Sequence, residues 1–227
     1  MCGISDSVYC GFLVRVSLSL RLIVEIQNWG ELWVFQKERF VDACKAAVGE
    51  GQKAIRELVS EATADPSSII KELGEPTEAG VFPIYNDDDI TIINFIWAPL
   101  MTLLPHNHNM FAVIGIYGGR EDNVFWRRIG DGAGSDSSPG LEAAGADSMG
   151  PGQVATMGKD IIHSVANPLS KLTSAIHVYG GNFFEPPIPR SQWNHETLVH
   201  EPWDMEQTRA TFREAGIRYN AGVVAGV

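Results

Sequence analysis

The chain has 227 residues, a net charge of −11, 44% apolar residues and 20% charged residues. That length suits one sizeable domain with additions, and the acidic balance sets it against nucleic acid or an anionic membrane as partner, since both select a basic face. Its three cysteines, Cys2, Cys10 and Cys44, form neither a CxxC pair nor a disulfide framework, which fits a reduced cytoplasmic protein and leaves sulfur out of any metal site.

From Val8 to Ile26 the chain is apolar, but it lacks a positively charged start, and Arg15, Arg21 and Glu25 interrupt it. Neither a signal peptide nor a membrane span fits. Val14, Val16, Leu18, Leu20, Leu22, Val24 and Ile26 alternate with polar residues, the period-2 pattern of a half-buried strand. Residues 1–30 are therefore an extra strand or an extension ahead of the domain. Residues 31–76 read as helical. Phe40, Val41, Cys44, Ala47 and Val48 recur at helical spacing before Gly49, which places Cys44 in the core. Ile55, Leu58, Val59 and Ala62 mark one face of a second helix, about 52 to 64. A third starts at Pro66, with Asp65 as its N-cap.

After Pro76 short β-rich runs alternate with Gly, Pro, Asn and Asp: 81–85, 90–97, 110–117, 123–129, 153–157, 161–165 and 172–179. Many short strands at regular spacing predict an all-β barrel or sandwich over residues 77–190. The Gly-, Ser-, Ala- and Asp-rich stretch from Gly130 to Gly150 has no periodicity and reads as a flexible connection between two halves. Asp87-Asp88-Asp89 reads as a solvated turn. Residues 191–227 form a tail whose closing helix runs from the N-cap Asp204 to about Tyr219; His195 and His200, in this tail, receive no role.

Pro105-His106-Asn107-His108 is the sharpest chemical feature. On a strand the two imidazoles project to one face, where they can take adjacent positions on one metal ion. Downstream, Gly158 leads into a short apolar run that carries the lone His163, followed by Asn167. By itself His163 reads as a hydrogen-bonded core histidine.

Together, the HxH strand, the β-rich spacer and the G-x4-H-x3-N element resemble the two signature motifs of the cupin superfamily. The resemblance implies a double-stranded β-helix barrel that holds one divalent metal with His106, His108 and His163. Where many cupins place a glutamate ligand, this chain has Ala112 and Val113; the next acid, Glu121, reads as a supporting or surface group. A three-histidine set leaves positions open for substrate and dioxygen, which suits Fe(II), with Zn, Ni or Mn as other candidates. Trp97, nine residues before His106, and Ala175-Ile176-His177-Val178-Tyr179 are similar to the tryptophan and the Ser-x-His-x-Tyr triad of the thiol dioxygenases. Trp97-Ala98-Pro99, Ile116-Tyr117-Gly118-Gly119-Arg120-Glu121-Asp122-Asn123 and Trp126-Arg127-Arg128 look like a family of metal-dependent double-stranded β-helix enzymes related to cysteine dioxygenase.

This resemblance implies an enzyme that oxidises a small thiol to a sulfinate with O2, with Tyr179, oriented by His177, as the catalytic pair. The alternatives are another cupin oxygenase, such as one cleaving a diketone-like substrate, or a non-catalytic metal- or small-molecule-binding cupin. The pattern departs from the family at three points. Ala175 replaces the triad serine, and no cysteine lies near the HxH strand to form a thioether with tyrosine. Gly80 to Trp97 also lacks the arginine that anchors a substrate carboxylate; Arg120, Arg127 and Arg128 are the available replacements. Substrate identity and the choice between monomer and homo-oligomer stay open.

Overall fold

A computed structural model describes residues 34–129 and 140–222. The candidate strand at 14–26, the 1–30 extension and the two cysteines it contains lie outside the described residues. Three helices come first: α1 (Lys37–Ala47), α2 (Gln52–Thr63) and α3 (Pro66–Leu73). Asp65 caps α3 by accepting a hydrogen bond from the Ser67 amide at 3.1 Å, satisfying one of the amides that a helix start leaves unpaired. Nine strands follow: β1 (Gly80–Asn86), β2 (Thr91–Trp97), β3 (Thr102–Asn107), β4 (Ala112–Gly118), β5 (Glu121–Ile129), β6 (Gly140–Met149), β7 (Val154–Met157), β8 (Ile162–Ala166) and β9 (Thr173–Tyr179). Two short strands, β10 (Ser191–Trp193) and β11 (His200–Pro202), precede the closing helix α4 (Met205–Asn220). Asp204 caps α4 through the amides of Glu206 and Gln207.

The strands form two antiparallel sheets, ordered β1-β2-β9-β4-β7 and β11-β10-β3-β8-β5-β6. From β2 to β9 the chain passes back and forth between the sheets, so each sheet interleaves early and late strands. This order is the double-stranded β-helix, a closed form of the two-sheet jelly roll. The expected mainly-β barrel with helices at both ends is thus observed.

Both faces of the five-stranded sheet are covered, and the period-2 geometry of strands divides its side chains. Ile92 and Ile96 of β2, Val113 of β4, and Ile176 and Val178 of β9 meet Phe40, Cys44, Ile55, Val59 and Ile69 of the helices. Ile93, Phe95 and Trp97, with Ile114, Ala175 and Tyr179, point into the barrel. Burial on two faces explains why β2 and β4 read as near-continuous apolar runs. Cys44 is fully buried, and that burial pushes its thiol up to about 12. Asp87 makes the expected turn, its carboxylate accepting from the amides of Asp89 and Ile90.

Two expectations fail. Residues 140–149, read as part of a flexible connection, are a strand paired with β5 from Glu121↔Met149 to Ile129↔Gly140. Only Leu141 and Met149 of this edge strand are buried, so backbone pairing holds it and no hydrophobic alternation marks it. Residues 130–139 lie outside the described residues. The tail beyond 190 is also more than a tail: β10 pairs with β3, placing Gln192 opposite His106, and extends the six-stranded sheet.

Candidate metal centre

His106 lies near the end of β3 and His108 one residue beyond it. Antiparallel pairing sets His106 directly opposite His163 of β8, after a register shift between Leu103 and His106. Such irregularities re-aim side chains locally. The three imidazoles meet inside the barrel, each 4% exposed or less. The Nε2 of His108 stands 3.2 Å from that of His106 and 3.3 Å from that of His163. One donor atom from each of the three lies within 4.8 Å of the others.

The outer nitrogens determine which way the lone pairs point. The Nδ1–H of His106 donates to the Leu104 carbonyl at 2.9 Å, since a carbonyl only accepts. Asn123 donates its amide to Glu121 at 3.0 Å, which turns its oxygen toward His163 Nδ1 at 2.7 Å. That nitrogen therefore carries the proton. Both Nε2 atoms then present lone pairs to His108, whose single N–H can satisfy only one of them. A cation shared by all three resolves the conflict. Two nitrogens each about 2.0–2.1 Å from one ion, at angles between octahedral and tetrahedral, lie about 2.8–3.4 Å apart, a range that includes the spacing of both close pairs. Burial holds His106 and His108 well below the usual histidine range, helped by His163, and draws His163 down to about 3 against the opposing pull of Glu121. Neutral imidazoles are the form that binds metal. The residues present therefore fit a divalent ion.

Glu121 is fully buried and stands outside the histidine cluster. One carboxylate oxygen reaches Asn123 and so steers His163. The other faces His177 Nε2 at 3.6 Å, beyond hydrogen-bonding distance. Burial opposes its ionisation, but the contacts with His177 and Asn123 outweigh that and hold its carboxyl below the usual range. His177 and Tyr179 occupy the inward face of β9, with Nδ1 and the phenol oxygen 3.0 Å apart. Phe95 packs on His177 at 4.5 Å between ring centroids, and Phe183 on Tyr179 at 4.4 Å. Asn167, the last residue of the G-x4-H-x3-N element, has a structural task. Its amide donates to the carbonyls of Ala98 and Lys171 and its oxygen accepts from the Leu169 amide, tying the end of β8 to the turn after β2.

The three histidines share a cavity of about 20 Å³ with His177, Tyr179, Phe183, Arg190, Trp203 and Met205. Arg120, Arg127 and Arg128 do not reach it. They are exposed; Arg120 pairs with Asp122, Arg127 with Glu142, and Arg128 lies over Trp193. The arginine that does line the cavity is Arg190, in the Pro-rich link before β10, where no spacing pattern marks it. A basic residue among prolines just ahead of an aromatic segment is the one local signal it leaves.

No protein-family model and no curated protein matches the chain. Solved structures similar to it include a RmlC-like cupin family protein with a double-stranded β-helix fold from Methanocaldococcus jannaschii, at 12% identity, covering 48% of this chain and 85% of that one with a TM-score of 0.35. A cupin superfamily protein from Desulfitobacterium hafniense is 15% identical over 48% of this chain and 85% of its own, with a TM-score of 0.35. A DMSP lyase from Ruegeria pomeroyi is 10% identical over 52% of this chain and 53% of its own, with a TM-score of 0.38. The strand order of the chain, rather than these distant likenesses, identifies its fold. Among the described residues no helix is long and apolar enough to cross a membrane.

Proposed function

We propose that the protein is a mononuclear non-haem Fe(II) dioxygenase of the thiol dioxygenase type, converting a small thiol and O2 to a sulfinate. The observation that carries this reading is the convergence of three buried, neutral imidazoles on a cavity shared with a buried tyrosine. The overall change, RSH + O2 → RSO2H, balances without a further reductant, because oxidation of the sulfur matches reduction of the dioxygen. A bound Fe(II) would supply the redox chemistry and the open positions for two reactants that no side chain offers. His106, His108 and His163 would hold it. Aromatic walls keep water out, which strengthens every polar contact inside.

Tyr179 supplies the positioned polar group. Burial pushes its phenol up, so it stays protonated at neutral pH. With Glu121 behind Nε2, the Nδ1 of His177 accepts the phenolic hydrogen and leaves the phenol's lone pairs toward the cavity. The substrate's own proton can be received there and passed along the same hydrogen bond. The cavity of about 20 Å³ holds little more than one water, so a substrate of either kind enters only as the half-buried Trp203 and Met205 give way.

The test is oxygen consumption by anaerobically Fe(II)-loaded protein with cysteine, 3-mercaptopropionate, cysteamine and a β-diketone. Uptake with one thiol, equimolar sulfinate, and loss of both iron and activity in His163→Ala are expected. Iron bound at one equivalent without uptake on any thiol overturns the reading.

A further inference from the structure

Two chains of hydrogen-bond donors leave the cavity, one at His163 and one at Tyr179, and both end on the same carboxylate. On the metal side, His163 Nδ1–H donates to Asn123 at 2.7 Å, and Asn123 donates its amide to Glu121 at 3.0 Å. On the tyrosine side, Tyr179 and His177 Nδ1 lie 3.0 Å apart, and His177 Nε2 faces the second Glu121 oxygen at 3.6 Å. That oxygen and that nitrogen are both buried, with no hydrogen-bond partner among the described residues. A ring lone pair turned to an ionised carboxylate is repelled, so His177 carries its proton on Nε2 and Nδ1 accepts from the phenol. Glu121 belongs to β5 of the six-stranded sheet and His177 to β9 of the five-stranded one, so this contact joins the two sheets. Among the described residues no lysine or arginine pairs with Glu121. Two converging donor chains need an end that only accepts, and an ionised carboxylate is the strong acceptor-only side chain.

We infer that Glu121 is the positioning residue of this site: one oxygen holds His163 for the metal, and the other holds His177 so that Tyr179 meets the cavity as an acceptor. The serine of the resembled triad, absent here at Ala175, can donate or accept. A carboxylate from another strand imposes one direction on the relay. Because hydrogen bonds in a chain polarise one another, the metal ligand and the tyrosine are coupled through this one group. The inference deepens the proposed function and rests on it only for what Tyr179 does in turnover. The proton positions themselves need neither metal nor turnover.

The test reads which ring nitrogen of each histidine carries the proton, by NMR of ring-nitrogen-labelled histidine in the full chain, metal-free and Zn(II)-loaded. In the parent protein at neutral pH, His177 should carry it on Nε2 and His163 on Nδ1. Glu121→Gln forces a choice in the Zn(II)-loaded state. With His163 held as Nδ1–H, the new amide must turn its oxygen to Asn123 and its N–H to His177. The His177 proton should then move to Nδ1, metal affinity should hold, and turnover of the Fe(II)-loaded protein should fall roughly a hundredfold. Glu121→Asp keeps an acceptor-only group; it should keep the parental tautomer and part of the rate, and it serves as the second variant if Glu121→Gln does not fold. His177 protonated on Nδ1 in the parent or in Glu121→Asp, an unmoved proton in folded Glu121→Gln, or a full parental rate in that variant overturns the assignment. A tautomer that switches with Glu121, in a protein that consumes no oxygen with any thiol, would fault the dioxygenase reading and leave the positioning role standing.

Discussion

Single side chains define the candidate metal centre of this barrel, and the support behind each histidine can be tested separately. Asn123 holds the proton of His163 on Nδ1, which frees Nε2 for a metal. Asn123→Ala removes that support while leaving all three histidines in place. We expect metal affinity to weaken by about 10- to 100-fold, measured by competition with a chelator; equal affinity would show that the backbone alone orients His163. Tyr179→Phe removes only the hydroxyl facing His177. Metal content should be unchanged and turnover should fall by about a hundredfold or more. An undiminished rate would take the phenol out of the mechanism. Glu121 matters at the same scale: it stands behind both His163, through Asn123, and Tyr179, through His177.

At the scale of elements, the helices act as a lid on the outer face of the five-stranded sheet. Gly115 of β4 lies directly beneath α2. A Cβ built there would come within 2.5 Å of a Val59 methyl and 2.8 Å of the Thr63 methyl. Gly115→Val must lift α2 from the sheet, and we expect a loss of about 1–3 kcal/mol in urea unfolding, with metal binding retained because the inner face is untouched. Unaltered stability would mean that the helix–sheet contact yields freely. Elements also show where patterns are legible. The helices were readable because apolar residues recur at helical spacing and Asp65 and Asp204 cap at the expected places. The edge strand β6 was not, because its ladder to β5 uses backbone groups that every residue possesses.

For the whole molecule, the buried histidine cluster links stability to pH. His163 is drawn down to about 3 from its ordinary 6.5, and His106 and His108 also lie well below it. Between those values the unfolded chain binds more protons than the folded one, so folding stability rises with pH across that window. Metal-free protein should therefore lose stability as pH falls from about 6.5 toward 3 and be insensitive to these groups above that range. Thermal unfolding from pH 4 to 8 checks this, and a flat profile below 6.5 would show that the cluster is not buried and neutral. Saturating Fe(II) should raise the melting temperature at pH 7, because a ligand bound only to the folded state stabilises it.

What the sequence by itself determined is local: strand and helix periods, two helix caps, and the face shared by His106 and His108. These follow from backbone geometry that repeats every few residues. His163 needed the motif pattern to be read as a ligand, since a lone histidine in an apolar strand has no distinctive spacing. Only the tertiary structure brought β3 and β8 together as neighbours, linked Glu121 to two networks, excluded Arg120, Arg127 and Arg128 from the cavity, and revealed Arg190. The reason is physical. The elements that surround Arg190 come from β3, the link after β9 and the segment before α4, which are distant in the chain and converge only when the sheets close. No local period records that closure.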